Sequence, residues 1–159
     1  MSSARKPVIA IAAAVWMLDL LSKQWALVAL ADGHPRQVLG SWLQLWLTSN
    51  PGAAFSMGVD VTWVITIVAA AITVGIVYKA KDVVHIGWIL GFGGLLGGAL
   101  GNLTDRIFRA PGFPQGHVVD FIAVPNFPVF NIADSFITCS VILMFWLSFK
   151  GVSWERGDE

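Results

Sequence analysis

Two aspartates in apolar company, Asp120 and Asp134, are the residues here whose type and spacing could do chemistry. They lie in Gly116-His117-Val118-Val119-Asp120-Phe121-Ile122 and Phe130-Asn131-Ile132-Ala133-Asp134-Ser135, joined by a Pro-rich connection. The run from Phe136 to Phe149 reads as the body of a membrane helix. A carboxylate in or beside hydrocarbon is costly and is by default a functional hypothesis. Neither aspartate has a Lys or Arg within four residues. Two such groups within reach of each other cannot both ionise easily, so they share a proton. The ionised one can take a proton from water while the protonated one polarises a carbonyl, without metal, nucleophilic side chain or cofactor. Proton or ion transport is the other chemistry open to them. The sequence holds no Gly-x-Ser-x-Gly elbow, His-Glu-x-x-His pair or Walker loop.

The rest of the chain must position these groups. Of 159 residues, 56% are hydrophobic, 8 are Trp and 13% are charged. A soluble domain carries about 25% charged residues, so the composition is that of a membrane protein. A formal net charge of zero argues against a nucleic-acid partner. The single cysteine, Cys139, lies in the last apolar run, where it reads as a packing residue. No Cys/His cluster has metal-ligand spacing. The length suits one membrane domain over 1–159, with four spans of ~20 residues.

The spans are expected at about 7–30, 61–78, 85–103 and 130–149, with outer loops at 31–60 and 104–129. The basic start and Ala29-Leu30-Ala31 imitate a cleaved signal peptide. The run is too long for one, and Asp19 and Lys23 interrupt it, so it reads as a retained helix. From Trp42 to Thr48 the pattern alternates, with Leu43, Leu45 and Leu47 on one face. A period of two predicts a strand, and its tryptophans suit the membrane–water boundary. Asn50-Pro51-Gly52-Ala53-Ala54-Phe55 follows as a turn of small residues. In the third span Gly87, Gly91, Gly94, Gly98 and Gly101 recur at spacings of four and three. They form a stripe on which a neighbouring helix can pack closely, and it ends at Asn102, Asp105 and Arg106. Arg5, Lys6, Lys79, Lys81, Lys150 and Arg156 fall on one side of the spans, which predicts cytoplasmic termini.

Of the remaining acids, Asp32, Asp60, Asp82, Glu155, Asp158 and Glu159 read as solvated charges. Asp19 has Lys23 one turn on, and Asp105 has Arg109 at the same spacing, so both pairs read as structural. His117 is the one candidate partner for Asp120 in the local sequence and reads as a loop histidine. Asn131 and Thr138 share a helix face with Asp134 and could hydrogen-bond its carboxylate.

Taken together, the chain resembles the bacterial lipoprotein signal peptidases (signal peptidase II) over nearly its whole length. Asp19-Leu20-Leu21-Ser22-Lys23 looks like the family's Asp-x-x-(Ser)-Lys, and Asn50-Pro51-Gly52-Ala53-Ala54-Phe55 like its Asn-x-Gly-Ala-Ala-Phe. Gly98-Ala99-Leu100-Gly101-Asn102-Leu103-Thr104-Asp105-Arg106 is similar to its Asn-x-x-Asp-Arg motif. The Asp120 and Asp134 segments resemble its two aspartate motifs. Position 51 is Pro where the family commonly has Thr.

The resemblance implies four helices with a small extracytoplasmic sheet, and Asp120 and Asp134 as a catalytic dyad. Asn50, Gly52, Asn102, Arg106 and Asn131 would form or support the substrate site, with Asp19 and Lys23 supporting. The implied activity is aspartic endopeptidase cleavage of prolipoproteins, N-terminal to a diacylglyceryl-modified cysteine, at the outer face of the cytoplasmic membrane. The chain is expected to act as a monomer in contact with membrane lipid and without a cofactor. A small proton-coupled transporter is the competing expectation.

Overall fold

In hydrocarbon every backbone N–H and C=O must be satisfied within the protein, so long apolar runs become helices. The computed structural model describes residues 5–52 and 62–155. Ala53, Ala54 and Phe55 of the small-residue turn, and Asp60, Arg156, Asp158 and Glu159, lie outside the described residues. Among the described residues, four helices are long and apolar enough to cross a membrane: α1 (Arg5–Ala29), α2 (Thr62–Lys79), α3 (Ile86–Phe108) and α4 (Ile132–Phe149). Three strands, β1 (Arg36–Leu39), β2 (Leu43–Asn50) and β3 (Val118–Ala123), form one antiparallel sheet in that order. The protein is thus a mostly helical, multi-pass membrane protein capped by a small sheet.

Helix α3 is the centre. In its most apolar stretch 56% of residues are buried, against 28% or less in the other three helices. The glycine stripe explains this, and α4 is the neighbour it admits. A Cβ at Gly91 would sit 2.6 Å from Met144 Cγ, and one at Gly98 the same distance from the Ala133 carbonyl oxygen. Two further glycines, outside the stripe read from the sequence, face α1. A Cβ at Gly93 would meet Ile11, and one at Gly97 would meet Ala12 O and Val15. Helix α3 is therefore pared down on two faces, because close backbone approach is how helices gain packing in lipid. Helix α2 packs chiefly on α3.

Helix α3 also runs five residues past 103, where its apolar run ends. Its last turn is stabilised by partners. Asp105 is paired with Lys23 and Arg109, and Arg106 donates to the Gly116 carbonyl at 3.1 Å. At the opposite end of the bundle, Trp154 stacks on Phe92 and Lys79 lies over its ring, pinning the C-terminal segment.

The alternation in β2 holds. Leu45 and Leu47 pack toward Ala26, Leu30, Val119 and Phe121, while Trp42 and Trp46 are exposed. The pairing slips between Leu45 and Thr48; such a bulge re-aims side chains. Beyond it Thr48 pairs with Asp120 and Asn50 with Val118. The segment read from the sequence as plain connection thus contains β3, and Asp120 lies on it.

Candidate functional site

Asp134 is positioned by the start of α4. Asn131 caps that helix, accepting from Asp134 N at 2.9 Å, and Asp134 Oδ2 accepts from Asn131 N at 3.2 Å. This reciprocal arrangement is a capping box, which fixes both side chains. Asp120 is positioned by β3, 1% exposed. Its Oδ2 accepts from Asn50 Nδ2 at 2.8 Å and its Oδ1 from Asn131 Nδ2 at 2.6 Å. Asn131 therefore touches both carboxylates. Asn102, from α3, completes the ring. Its Nδ2 donates to Asp134 Oδ1 at 2.7 Å, and its Oδ1 accepts from Asn131 at 3.1 Å and Lys23 at 3.1 Å. Three asparagines from three separate segments thus hold two acids.

A carboxylate accepting such bonds is held in its charged form; burial works the other way. Burial wins at Asp120. Its pKa rises from 3.8 to about 6, with the charge of Asp134 adding to the rise and the Asn50 and Asn131 bonds and Lys23 opposing it.

Cations do stand nearby, from parts of the chain remote in sequence. Lys23 Nζ lies 2.7 Å from Asp19 and 2.9 Å from Asp105, all three buried. Asp105 also binds Arg109 and accepts from Val119 N at 3.2 Å, tying α3 to β3. The two pairs read as separate in sequence are thus one buried network. Asp19 Oδ1 accepts from Ala133 N at 2.9 Å, so α1 helps seat the start of α4. Arg106 stands within the field of Asp105, Asp120 and Asp134.

Gly52 is required where it is. Its φ is +98°, and a Cβ there would lie 3.3 Å from the Arg106 guanidinium. Gly52 N donates to Asn50 Oδ1 at 2.8 Å, which aims the Asn50 amide at Asp120. Pro51 contributes its carbonyl, which accepts from Thr62 Oγ1. Two contacts that the sequence left open are not made, and His117 is the loop histidine it reads as. His117 bonds Ser49 Oγ at 3.0 Å instead of Asp120, because it precedes β3 at the sheet edge. Thr138 is not among the hydrogen-bond partners of Asp134, which are Asn102 and Asn131. Cys139 is exposed on the outside of α4.

The acids open onto two hollows that share Asn50. A cavity of about 310 Å³ runs from Asn50, Gly52, Asn102, Arg106 and Asp134 down an apolar wall that includes Ile65, Ala69 and Ile137. A smaller hollow of about 230 Å³ is lined by Asn50, Pro51, Asp120 and Pro128. A polar end with Asp134 on a long apolar trough, beside the hollow at Asp120, suits a substrate with a polar scissile group and an apolar body.

This is the fold of a multi-pass membrane protein with two acids held at the sheet end of the bundle. The model of the family described as signal peptidase (SPase) II matches residues 11–150. The lipoprotein signal peptidase of Rhodococcus jostii (strain RHA1) is 48% identical over 142 residues, covering 89% of this chain and 72% of its own. That of Mycobacterium avium (strain 104) is 43% identical over 147 residues, covering 92% and 81%. A bacterial membrane enzyme solved by the in meso method at 2.3 Å superposes with a TM-score of 0.79 at 29% identity, over 96% of this chain and 93% of that one. The chain belongs to the signal peptidase II family and is a peptidase. The comparisons give no support to a transporter.

Proposed function

We propose that this peptidase is an intramembrane aspartic endopeptidase with Asp120 and Asp134 as its dyad. Its substrates are prolipoproteins, cut N-terminal to a cysteine that carries a diacylglyceryl group. The observation that carries the reading is Asn131, whose amide binds one acid while its backbone and cap bind the other.

The two environments divide the labour. Asp134 sits in the first turn of α4, where the helix dipole favours negative charge. Asp120 is buried, with its pKa raised to about 6. In this reading the shared proton is placed on Asp120. Asp134 removes a proton from the attacking water, and the water oxygen bonds to the scissile carbonyl carbon. Asp120 donates to the carbonyl oxygen as charge builds there. The tetrahedral intermediate collapses when the C–N bond breaks and the leaving amine takes the proton from Asp134, while a hydroxyl of the intermediate returns its proton to Asp120 as the carbonyl reforms. Arg106, Asn50, Asn102 and Gly52 line the substrate side, and Asp19 and Lys23 hold the frame behind them.

The sheet end of the bundle is the outer end in this reading. Arg5, Lys79, Lys81 and Lys150 gather at the other end, which the positive-inside rule puts in the bacterial cytoplasm together with both termini. The lipid-anchored cysteine of the substrate then meets the acids at the outer interface of the cytoplasmic membrane. The enzyme works as a monomer in contact with membrane lipid, without a cofactor or nucleic-acid partner. Incubation of the purified protein with a synthetic diacylated precursor tests the reading. Cleavage on the N-terminal side of the modified cysteine is expected, and cleavage of the same precursor by Asp120→Asn would overturn it.

A further inference from the structure

A cleft of about 610 Å³ opens on the other face of the sheet, lined by Val119 rather than by Asp120. Consecutive strand residues point to opposite faces, which turns Val119 and Asp120 apart; Thr48 and Ser49 of β2 line both this cleft and the hollow at Asp120. Its wall has two chemistries. Leu27, Leu47 and Phe108 make one side apolar, and Phe108 is 80% exposed at the end of α3. Ser49, His117 and Arg109 make the other side polar. Arg109 donates to Asp105 through Nε, and its two terminal nitrogens meet no protein acceptor among the described residues. His117 engages Ser49 through Nδ1, which leaves Nε2 for another partner. Among the described residues, no Asp or Glu lines the cleft.

Open guanidinium nitrogens beside an imidazole and a hydroxyl match the oxygens of a phosphate. The cleft lies where α1 and α3 end, and helix C-termini carry about half a negative charge that weakens anion binding. Asp105 already offsets the charge of Arg109, so the two open terminal nitrogens of Arg109 act here as hydrogen-bond donors to the phosphate oxygens. The apolar wall decides the kind of phosphate. A free ion gains nothing from Leu27, Leu47 and Phe108, whereas acyl chains do. We propose that this cleft binds the phosphodiester head of an anionic phospholipid, with its chains along that wall. The site is also connected to the acids. Arg109 binds Asp105, Asp105 binds Lys23, Lys23 donates to Asn102, and Asn102 donates to Asp134. A headgroup on Arg109 thus touches one end of a polar chain that finishes at the dyad.

The proposal does not rest on the aspartic mechanism, and its test reads binding alone. The full-length protein in detergent is titrated with phosphatidylglycerol, phosphatidylcholine or inorganic phosphate, and bound lipid is read by native mass spectrometry. One phosphatidylglycerol should be retained in preference to phosphatidylcholine, and inorganic phosphate should not displace it. Arg109→Ala and His117→Leu should each weaken retention about tenfold, and Arg36→Ala, at the exposed Asp32 pair, should not. Should Arg109→Ala fail to fold, His117→Leu still decides, because that side chain holds only Ser49. Equal retention of the two lipids, or unchanged retention in His117→Leu, would refute the proposal. Displacement by inorganic phosphate would also refute it, making the cleft an ion site.

Discussion

Asn131 and Asp134 bond each other twice, Asp134 N to Asn131 Oδ1 at 2.9 Å and Asn131 N to Asp134 Oδ2 at 3.2 Å. The exchange uses the cap's carbonyl oxygen and leaves its Nδ2 to reach Asp120 at 2.6 Å. One residue thus starts a helix and gauges the distance between two acids. Asn131→Ala should lose about 1 kcal/mol of stability as a lost cap. It should also lose at least about a hundredfold in kcat, because misplaced catalytic groups cost that much. A thermal melt beside a cleavage assay separates the two effects; a variant that melts lower but cleaves normally would contradict the second role.

Replacing either acid removes the proton donor or the acceptor. Asp120→Asn and Asp134→Asn should each lower kcat by about a thousandfold or more. Both variants should still insert and melt cooperatively, since an amide keeps the shape of the side chain. Substantial turnover in either would move the chemistry elsewhere.

The pH dependence follows from Asp120. Its pKa is raised from 3.8 to about 6, burial being the largest cause. The folded chain holds this proton more tightly than the unfolded one. The associated stabilisation is therefore complete below pH 3.8 and lost as pH rises through 6. The dyad needs the same proton, so kcat/KM, which reports the free enzyme, should fall on the alkaline side from near pH 6. Asn50→Ala removes a bond that favours the charged form and should move that limb upward. A limb that stays put or moves down would show that Asn50 does not set the titration.

Lys23 is 0% exposed between Asp19 and Asp105. Lys23→Met should cost about 3–5 kcal/mol, because it leaves the buried Asp19 carboxylate without its cation while Asp105 keeps Arg109. Lys23→Met combined with Asp19→Asn should recover part of that loss. Chemical denaturation of both variants in micelles measures the difference, and equal stability would mean Asp19 had found another partner.

The glycines of α3 allow a matched comparison. A Cβ at Gly98 would lie 2.6 Å from the Ala133 carbonyl and 2.8 Å from Ile137, whereas one at Gly75 on α2 meets nothing within 4 Å. Gly98→Ala should destabilise by about 1–3 kcal/mol through overpacking. Gly75→Ala should stabilise by about 0.5–1 kcal/mol through helix propensity. Melting temperatures moving in opposite directions check both.

The helices were legible because a long uncharged run has few other solutions. β2 was legible because Leu43, Leu45 and Leu47 alternate with polar and aromatic residues. β3 was not, since Val118 to Phe121 are all buried and its two faces show no contrast. β1 has four exposed residues and no pattern at all. The local pairs Asp19–Lys23 and Asp105–Arg109 could be read from helical spacing. Their union through Lys23 could not, because it depends on α1 lying against α3. Gly93 and Gly97 escaped notice because the stripe facing α4 already accounted for a helix face. Of the asparagine ring, Asn131 was legible from its place beside Asp134 and Asn102 from its place at the end of the glycine stripe; the role of Asn50 came through resemblance alone, since an amide carries no charge pattern to betray it.

Among the described residues helix α2 packs chiefly on α3, with Thr62 and Thr66 bonded to the Pro51 and Pro114 carbonyls, while α1 and α4 are clamped to α3 by its two bare faces. In mechanical terms the molecule is a rigid three-rod frame with one outrigger. Local opening takes the least firmly attached segment first, and that segment is α2. Ile65, Ala69 and Ile72 on α2 wall the cavity that contains Asp134. The side of the frame that yields most readily to a sideways push from the surrounding lipid is therefore the side that exposes an acid.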